Sequence, residues 1–145
     1  MTSTIDINQV NNVTAEYQEI VDELLEKGDV DTINDEACFS SRGGYREIVN
    51  YLIERGADNF DSLAEVAAKG GHKDIVDDMI ARGANNFNNI ARKAAEGGHK
   101  DIVEDMIQRG VRNFNGIARS AARRGHKQIV EDMIQKGARR PLRYR

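Results

Sequence analysis

The tripeptide Gly-His-Lys occurs at Gly71-His72-Lys73, Gly98-His99-Lys100 and Gly125-His126-Lys127, each copy twenty-seven positions after the one before. A fixed period of this size marks a repeat architecture, in which each unit is one small supersecondary element. One period before Gly71 stands Gly44, followed by Tyr45-Arg46-Glu47-Ile48-Val49, the same unit without its histidine. A more worn copy precedes it, because Gln18-Glu19-Ile20-Val21 matches Arg46-Glu47-Ile48-Val49 at an offset of 28. The chain thus reads as a single repeat domain over residues 1–138. It has a degenerate capping unit at about 5–28, repeats at about 29–56, 57–83, 84–110 and 111–137, and a basic tail at 139–145.

Within a unit the pattern predicts two short helices. Ile102, Val103, Met106 and Ile107 fall at i, i+1, i+4 and i+5, one stripe of an α-helix, while Asp101, Glu104 and Gln108 lie off it. Arg109-Gly110 then ends the helix, with a cation in the last turn and a glycine suited to a left-handed cap. The preceding helix repeats the spacing with Ile90, Ala91, Ala94 and Ala95, and Phe87 lies one turn earlier. Asn86 or Asn88 is placed to cap it, and Gly97-Gly98 forms the turn between the two helices. Helices this short are not stable alone, so each apolar stripe must be covered by the next unit. The expected fold is all-α, a solenoid of stacked helix-turn-helix units.

The run Ala94-Ala95-Glu96-Gly97-Gly98-His99-Lys100-Asp101-Ile102-Val103, continuing to Gly110, resembles the second half of an ankyrin repeat. The Ala-Ala pair, the Gly-His turn and the Ile-Val pair carry the likeness. So does the closing Gly-Ala, present as Gly56-Ala57, Gly83-Ala84 and Gly137-Ala138, with Gly110-Val111 as the exception. The resemblance spans roughly residues 17 to 138. It departs from the family in length, since an ankyrin unit has about 33 residues. The shortfall lies between Gly83 and Phe87, where the family builds its β-hairpin finger. The family's Thr-Pro-Leu-His start is also replaced, by Asn89-Ile90-Ala91-Arg92. The resemblance implies protein–protein recognition, with contacts shifted to the first helices and the shortened loops.

Charge is distributed unevenly behind a net value of −3. Residues 1–72 hold 5 Lys/Arg against 15 Asp/Glu, and residues 73–145 hold 16 against 9. A basic end of this kind suits an acidic protein, nucleic acid, or the acidic end of another copy. Cys38 is the only cysteine, which excludes an intrachain disulfide and points to a reducing, intracellular setting, cytoplasmic or nuclear. The N-terminal Met1-Thr2-Ser3-Thr4 lacks the basic start and apolar run of a secretory signal. No stretch approaches the roughly 18 apolar residues of a membrane helix, so no membrane partner is expected.

The residues offer little for chemistry. The three histidines suggest a metal site, but His99 shares a face with Ile102 and Met106 at the start of its helix. Stacked helices stand about 8–10 Å apart, whereas zinc needs its nitrogens within about 2.1 Å. A turn histidine bonding nearby backbone is the reading preferred. Cys38 has no histidine near it in sequence, Ser40-Ser41 takes the place of the Ala67-Ala68 pair, and the glycines punctuate helix ends. No catalytic residue, metal ligand or cofactor is assigned.

Comparison of the units singles out two columns. Asp78, Asp105 and Asp132 stand at the edge of the stripe, and Arg92 and Arg119 follow the first two by fourteen positions. In the earlier unit Tyr51 and Glu65 hold the same two places. Inter-repeat contacts are therefore expected as Asp78–Arg92, Asp105–Arg119 and Tyr51–Glu65; the competing reading is a solvated charged face. Positions that vary between otherwise constant units are candidates for partner contact, or have simply drifted. They include Lys93 and Glu96 on one first helix, Ser120 and Arg123 on the next, and Arg112, Arg124, Arg139 and Arg140 in turns and tail. Arginine suits bidentate contacts with carboxylate or phosphate. Pro141 is expected to stop the repeat, leaving the tail as a loose arm or a makeshift cap. The leading functional expectation is a non-catalytic protein-binding adaptor. The alternatives are head-to-tail self-assembly of acidic and basic ends, and nucleic-acid binding through the arginine-rich end. The last is opposed by the negative net charge and the lack of a nucleic-acid motif.

Overall fold

Short apolar stripes at a fixed interval become short helices at the same interval. The computed structural model describes residues 14–144, the side chain of Arg143 excepted. Residues 5–13 of the expected capping unit and Arg145 lie outside the described residues. All regular structure among the described residues is helical. The helices are α1 (Ala15–Glu26), α2 (Val30–Gly43), α3 (Arg46–Glu54), α4 (Phe60–Gly70), α5 (Lys73–Ala81), α6 (Phe87–Gly97), α7 (Lys100–Gln108), α8 (Phe114–Arg123) and α9 (Lys127–Gln135). A 3-10 turn, Leu142–Tyr144, follows them.

The helices form two layers. The first helices stack directly, α2 on α4, α4 on α6 and α6 on α8, and each second helix packs on the first helix of its own unit. Contacts between second helices are sparser, so the first-helix layer is the tightly spaced, inner side. Alanine permits this approach: Ala64, Ala68, Ala91, Ala95 and Ala118 are fully buried between first helices. Ile102, Val103 and Met106 are likewise fully buried, as their stripe predicted. Ser40 and Ser41 are buried in place of the alanine pair, and Ser41 Oγ donates to the Leu63 carbonyl of the next unit at 2.8 Å.

Two polar devices set the spacing of the units. The first is the histidine of each Gly-His-Lys turn. His72 Nε2 donates to the carbonyl of Arg42 at 2.9 Å, His99 Nε2 to that of Lys69 at 3.0 Å, and His126 Nε2 to that of Glu96 at 3.0 Å. The backbone bond was expected, but its acceptor lies thirty positions back, in the preceding unit. Each ring covers the glycine at the previous turn: a Cβ at Gly71 would sit 2.5 Å from His99 Cε1. Gly71 also has φ +82°, the left-handed conformation that turns the chain between α4 and α5. The second device lies at the loops. Asn34 Oδ1 accepts from Asp58 N, Asp61 Oδ1 from Asn85 N, and Asn115 Oδ1 from Arg139 N, each twenty-four positions on.

At the C-terminal end the register outlasts the expectation. Pro141 lies one full period after Phe114, the first residue of α8. Proline is favoured at a first helical position, where its fixed φ suits the turn and no bond to residue i−4 is lost, so it does not break the pattern there. The chain continues into its 3-10 turn, and Tyr144, one period after buried Ile117, packs against the core. The tail is an incomplete further unit laid on α8.

The histidine clamp makes a specific prediction. Gly71→Ala should destabilise the array by about 2–3 kcal/mol, from left-handed strain of about 1–2 kcal/mol and a displaced hydrogen bond of about 0.5–1.5 kcal/mol. His99→Ala should cost about 1 kcal/mol. The double variant should cost less than the sum, because removing the ring removes the clash. Urea unfolding of the four proteins measures that coupling.

Candidate partner-binding face

The two outer surfaces of the array differ in what their side chains do. On the second helices, charged residues are engaged with one another. Lys100 Nζ lies 2.9 Å from Asp132 Oδ2, Lys73 Nζ 3.8 Å from Asp105 Oδ2, and Arg109 Nη2 3.8 Å from Asp77 Oδ1, all bridging neighbouring units. Within units, Lys73 meets Asp77 at 2.8 Å and Arg109 meets Asp105 at 3.2 Å.

These contacts correct the expected Asp78–Arg92 and Asp105–Arg119 pairs. Asp78 meets Arg82 at 3.5 Å, one turn along its own helix, and Asp105 meets Arg109 and Lys73. Asp105 and Asp132 do bridge units, through the lysine of the Gly-His-Lys turn rather than through an arginine. The reason is geometric: the aspartates lie on second helices, whereas Arg92 and Arg119 lie on first helices in the other layer. The Tyr51–Glu65 pair fails likewise. Tyr51 packs at a tilt against Tyr17, with ring centroids 6.4 Å apart, and lies under Arg55 at 4.7 Å. Glu65 Oε1 instead accepts from the Asn86 and Asn89 side-chain amides at 3.2 and 3.4 Å.

The first-helix surface carries the variable residues. Lys93 is half exposed and bridges to Glu96 at 3.7 Å, while Glu96 also meets Lys69 at 3.4 Å and is only 13% exposed. Glu96 is thus engaged within the array. Arg112 Nη1 donates to the Ile107 and Val111 carbonyls at 3.0 and 2.9 Å, which ties down its own loop. Ser120 is 1% exposed, so it is a buried residue and not the surface contact expected from its variability. Arg123, Arg124, Arg139 and Arg140 are exposed, and Arg140 makes a paired contact with Glu131 at 2.8 and 3.3 Å.

Two cavities open between these arginines. The larger, about 620 Å³, is lined by Arg119, Ala122, Arg123, Arg139, Pro141 and Leu142, among others. The smaller, about 170 Å³, lies between α6 and α8, with Arg92, Arg119 and Arg123 around it and Ser120 in its wall. The candidates named from the sequence leave out two exposed apolar side chains. Leu142 is 79% exposed, and Phe39, on the same first-helix layer, is 61% exposed. Their signal was register: Phe39 shares a column with Val66, Lys93 and Ser120, and Leu142 shares one with Asn115.

Cys38 is half-buried, and burial pushes its thiol up despite an Asn59 amide 3.3 Å from Sγ, which disfavours the reactive thiolate. Among the described residues no group of three His, Cys, Asp or Glu side chains is arranged to hold a metal ion. No helix among them is long and apolar enough to cross a membrane. Compared with known proteins, the chain matches no protein-family model, and no curated protein matches it.

The ionic ladder has a testable pH signature. The Lys100 contact holds the Asp132 carboxyl below its ordinary value of 3.8, with help from a Gln128 amide at 3.0 Å. A depressed carboxylate contributes stability above its unfolded value and loses it as the pH falls through the folded one. Asp132→Asn should therefore melt lower than wild type at neutral pH. It should also show a smaller fall in melting temperature between about pH 5 and about pH 3, as read by circular dichroism.

Proposed function

We propose that the chain is a shortened ankyrin-like array and works as a non-catalytic protein-binding adaptor through its first-helix and loop face. One observation carries the reading: the second-helix face is laced by its own ion pairs, while the first-helix face holds exposed arginines around open cavities. The apolar Phe39 and Leu142 on that face supply area that is better covered than left in water. The lone Cys38 supports an intracellular setting, cytoplasmic or nuclear.

A second reading has its own support. Glu16, Glu19, Asp22, Glu23 and Glu26 lie on α1, at the opposite end from Arg123, Arg124 and Arg139. Head-to-tail contact between copies would be heterologous, giving rings or filaments. Light scattering separates the readings: an adaptor awaiting a foreign partner is monomeric at low and high salt, and charge-driven assembly is a larger species that dissolves as salt rises.

Selection of random peptides against the whole chain tests the adaptor reading directly. Enriched peptides should lose at least about tenfold in affinity, or ~1.4 kcal/mol, with Arg119→Glu or Phe39→Glu. They should bind unchanged to Gln108→Glu, on the second-helix face. Equal sensitivity on both faces would sink the assignment.

A further inference from the structure

Consecutive junctions between first helices differ in one informative way. Between α4 and α6, the Glu65 carboxylate accepts from the Asn86 and Asn89 side-chain amides, bridging the two helices. One unit on, between α6 and α8, the same three positions are Arg92, Asn113 and Gly116. The anion has become a cation. One amide donor has no side chain at all. The remaining one, Asn113, turns to cap its own helix, its Oδ1 accepting from Gly116 N at 3.1 Å. What is left is the cavity of about 170 Å³ lined by Arg92, Asn113, Gly116, Arg119, Ser120 and Arg123. Among the described residues no carboxylate forms an ion pair with Arg92 or Arg119, although charged neighbours on the second helices are paired from unit to unit. An arginine pair facing a cavity is suited to an oxyanion, which it holds through charge-assisted bonds in fixed geometry.

The second cavity shares a wall with the first. Arg119 and Arg123 line both, and beyond them Ala122, Pro141 and Leu142 supply apolar lining to a space of about 620 Å³. A cavity of that size takes a bulky side chain, since ligand pockets run to about 300–1,000 Å³.

Resting on the adaptor reading above, we infer that this pair of cavities is a site for an extended peptide segment. An anionic side chain, carboxylate or phosphate, enters between Arg92 and Arg119, and a bulky apolar side chain two or three residues away fills the cavity beside Leu142. The bound anion occupies the role that Glu65 plays internally one junction earlier. The arginines supply orientation and selection against neutral peptides, and the apolar anchor supplies buried area.

The test uses the full chain and a set of fluorescein-labelled peptides in a Gly/Ser background. One position carries Glu, phosphoserine or Gln, and a second, two or three residues later, carries Leu, Phe or Ser. Fluorescence polarisation should rank anionic-plus-apolar peptides at least about tenfold above those with Gln or with Ser, about 1.4 kcal/mol. Glu and phosphoserine peptides compared side by side show which anion the cavity prefers. The decisive variant is Arg92→Glu/Gly116→Asn, which rebuilds the α4–α6 arrangement at the α6–α8 junction and so closes the cavity with side chains this fold already accommodates. The nearest atoms to a Cβ at Gly116 belong to the Asn113 side chain, from 2.6 Å, and that amide can turn away as Asn86 does. This variant should keep its helical signal and unfolding midpoint while losing the anionic preference.

Gln peptides binding as well as Glu and phosphoserine peptides would overturn the site, as would full binding by the rebuilt variant. Peptides selected at random that bind the rebuilt variant unchanged, but not Phe39→Glu, would leave the adaptor reading standing and remove this site alone. No enrichment of any peptide would remove both. Displacement of the peptide by a single-stranded oligonucleotide, lost with Arg92→Glu/Gly116→Asn and falling steeply with salt, would reassign the cavity to nucleic acid.

Discussion

Each imidazole that reaches back thirty positions for a carbonyl must pass over a residue without a Cβ, and that need ties one turn to the next. The glycine supplies two things at once. Its left-handed backbone turns the chain between helices, and its bare Cα leaves room for the ring of the following unit. Polar contact and steric fit therefore hold the same pair of residues in one register. The apolar stripes alone would tolerate some sliding of helix on helix, because hydrophobic burial is non-directional. A hydrogen bond to a specific carbonyl does not. The pattern also shows where the clamp stops: among the described residues Gly125 has no ring over it, and Arg124 takes the place of the first glycine of the pair.

The two layers divide the work that follows from this spacing. Second helices stand farther apart and are linked by long lysine and arginine side chains reaching aspartates of the next or preceding unit. First helices are close, with alanine between them, and some of their outward charges, such as Glu96 with Lys69, are paired between units while Arg92 and Arg119 face a cavity. Exposed ion pairs contribute little each, about 0–1 kcal/mol, so the ladder on the second helices matters more for excluding alternative registers than for total stability. At one junction of the first-helix layer the Glu65 carboxylate is bonded to two asparagine amides across the helices. Where Arg92 and Gly116 replace those groups, the junction is open.

Much of the fold was legible because its signal is repeated. The stripe of Ile102, Val103 and Met106, the Ala94-Ala95 pair and the glycine stops each appear several times in register, and the helices and buried residues follow them. The inter-unit pairs were not legible in the same way. Asp105 and Arg119 change together with Tyr51 and Glu65, yet they lie in different layers, and the true partner of the column is a lysine of the preceding unit. A linear pattern shows that two columns differ between units without showing which of them face each other. Ser120 teaches the same lesson: it varies between units and is nevertheless buried.

By itself, the amino-acid sequence determined the period, the all-helical character, the apolar stripes and the segregation of charge along the chain. These depend on local spacing, since a helix repeats every about 3.6 residues wherever it occurs. Only the tertiary structure decided which carbonyl each histidine meets, that Pro141 falls at the start of a further helical turn, and that two cavities open beside Arg119. Those features belong to the stacking of one unit on the next. Stacking brings together groups that stand about one repeat apart in the chain, and no local pattern contains the distances between them.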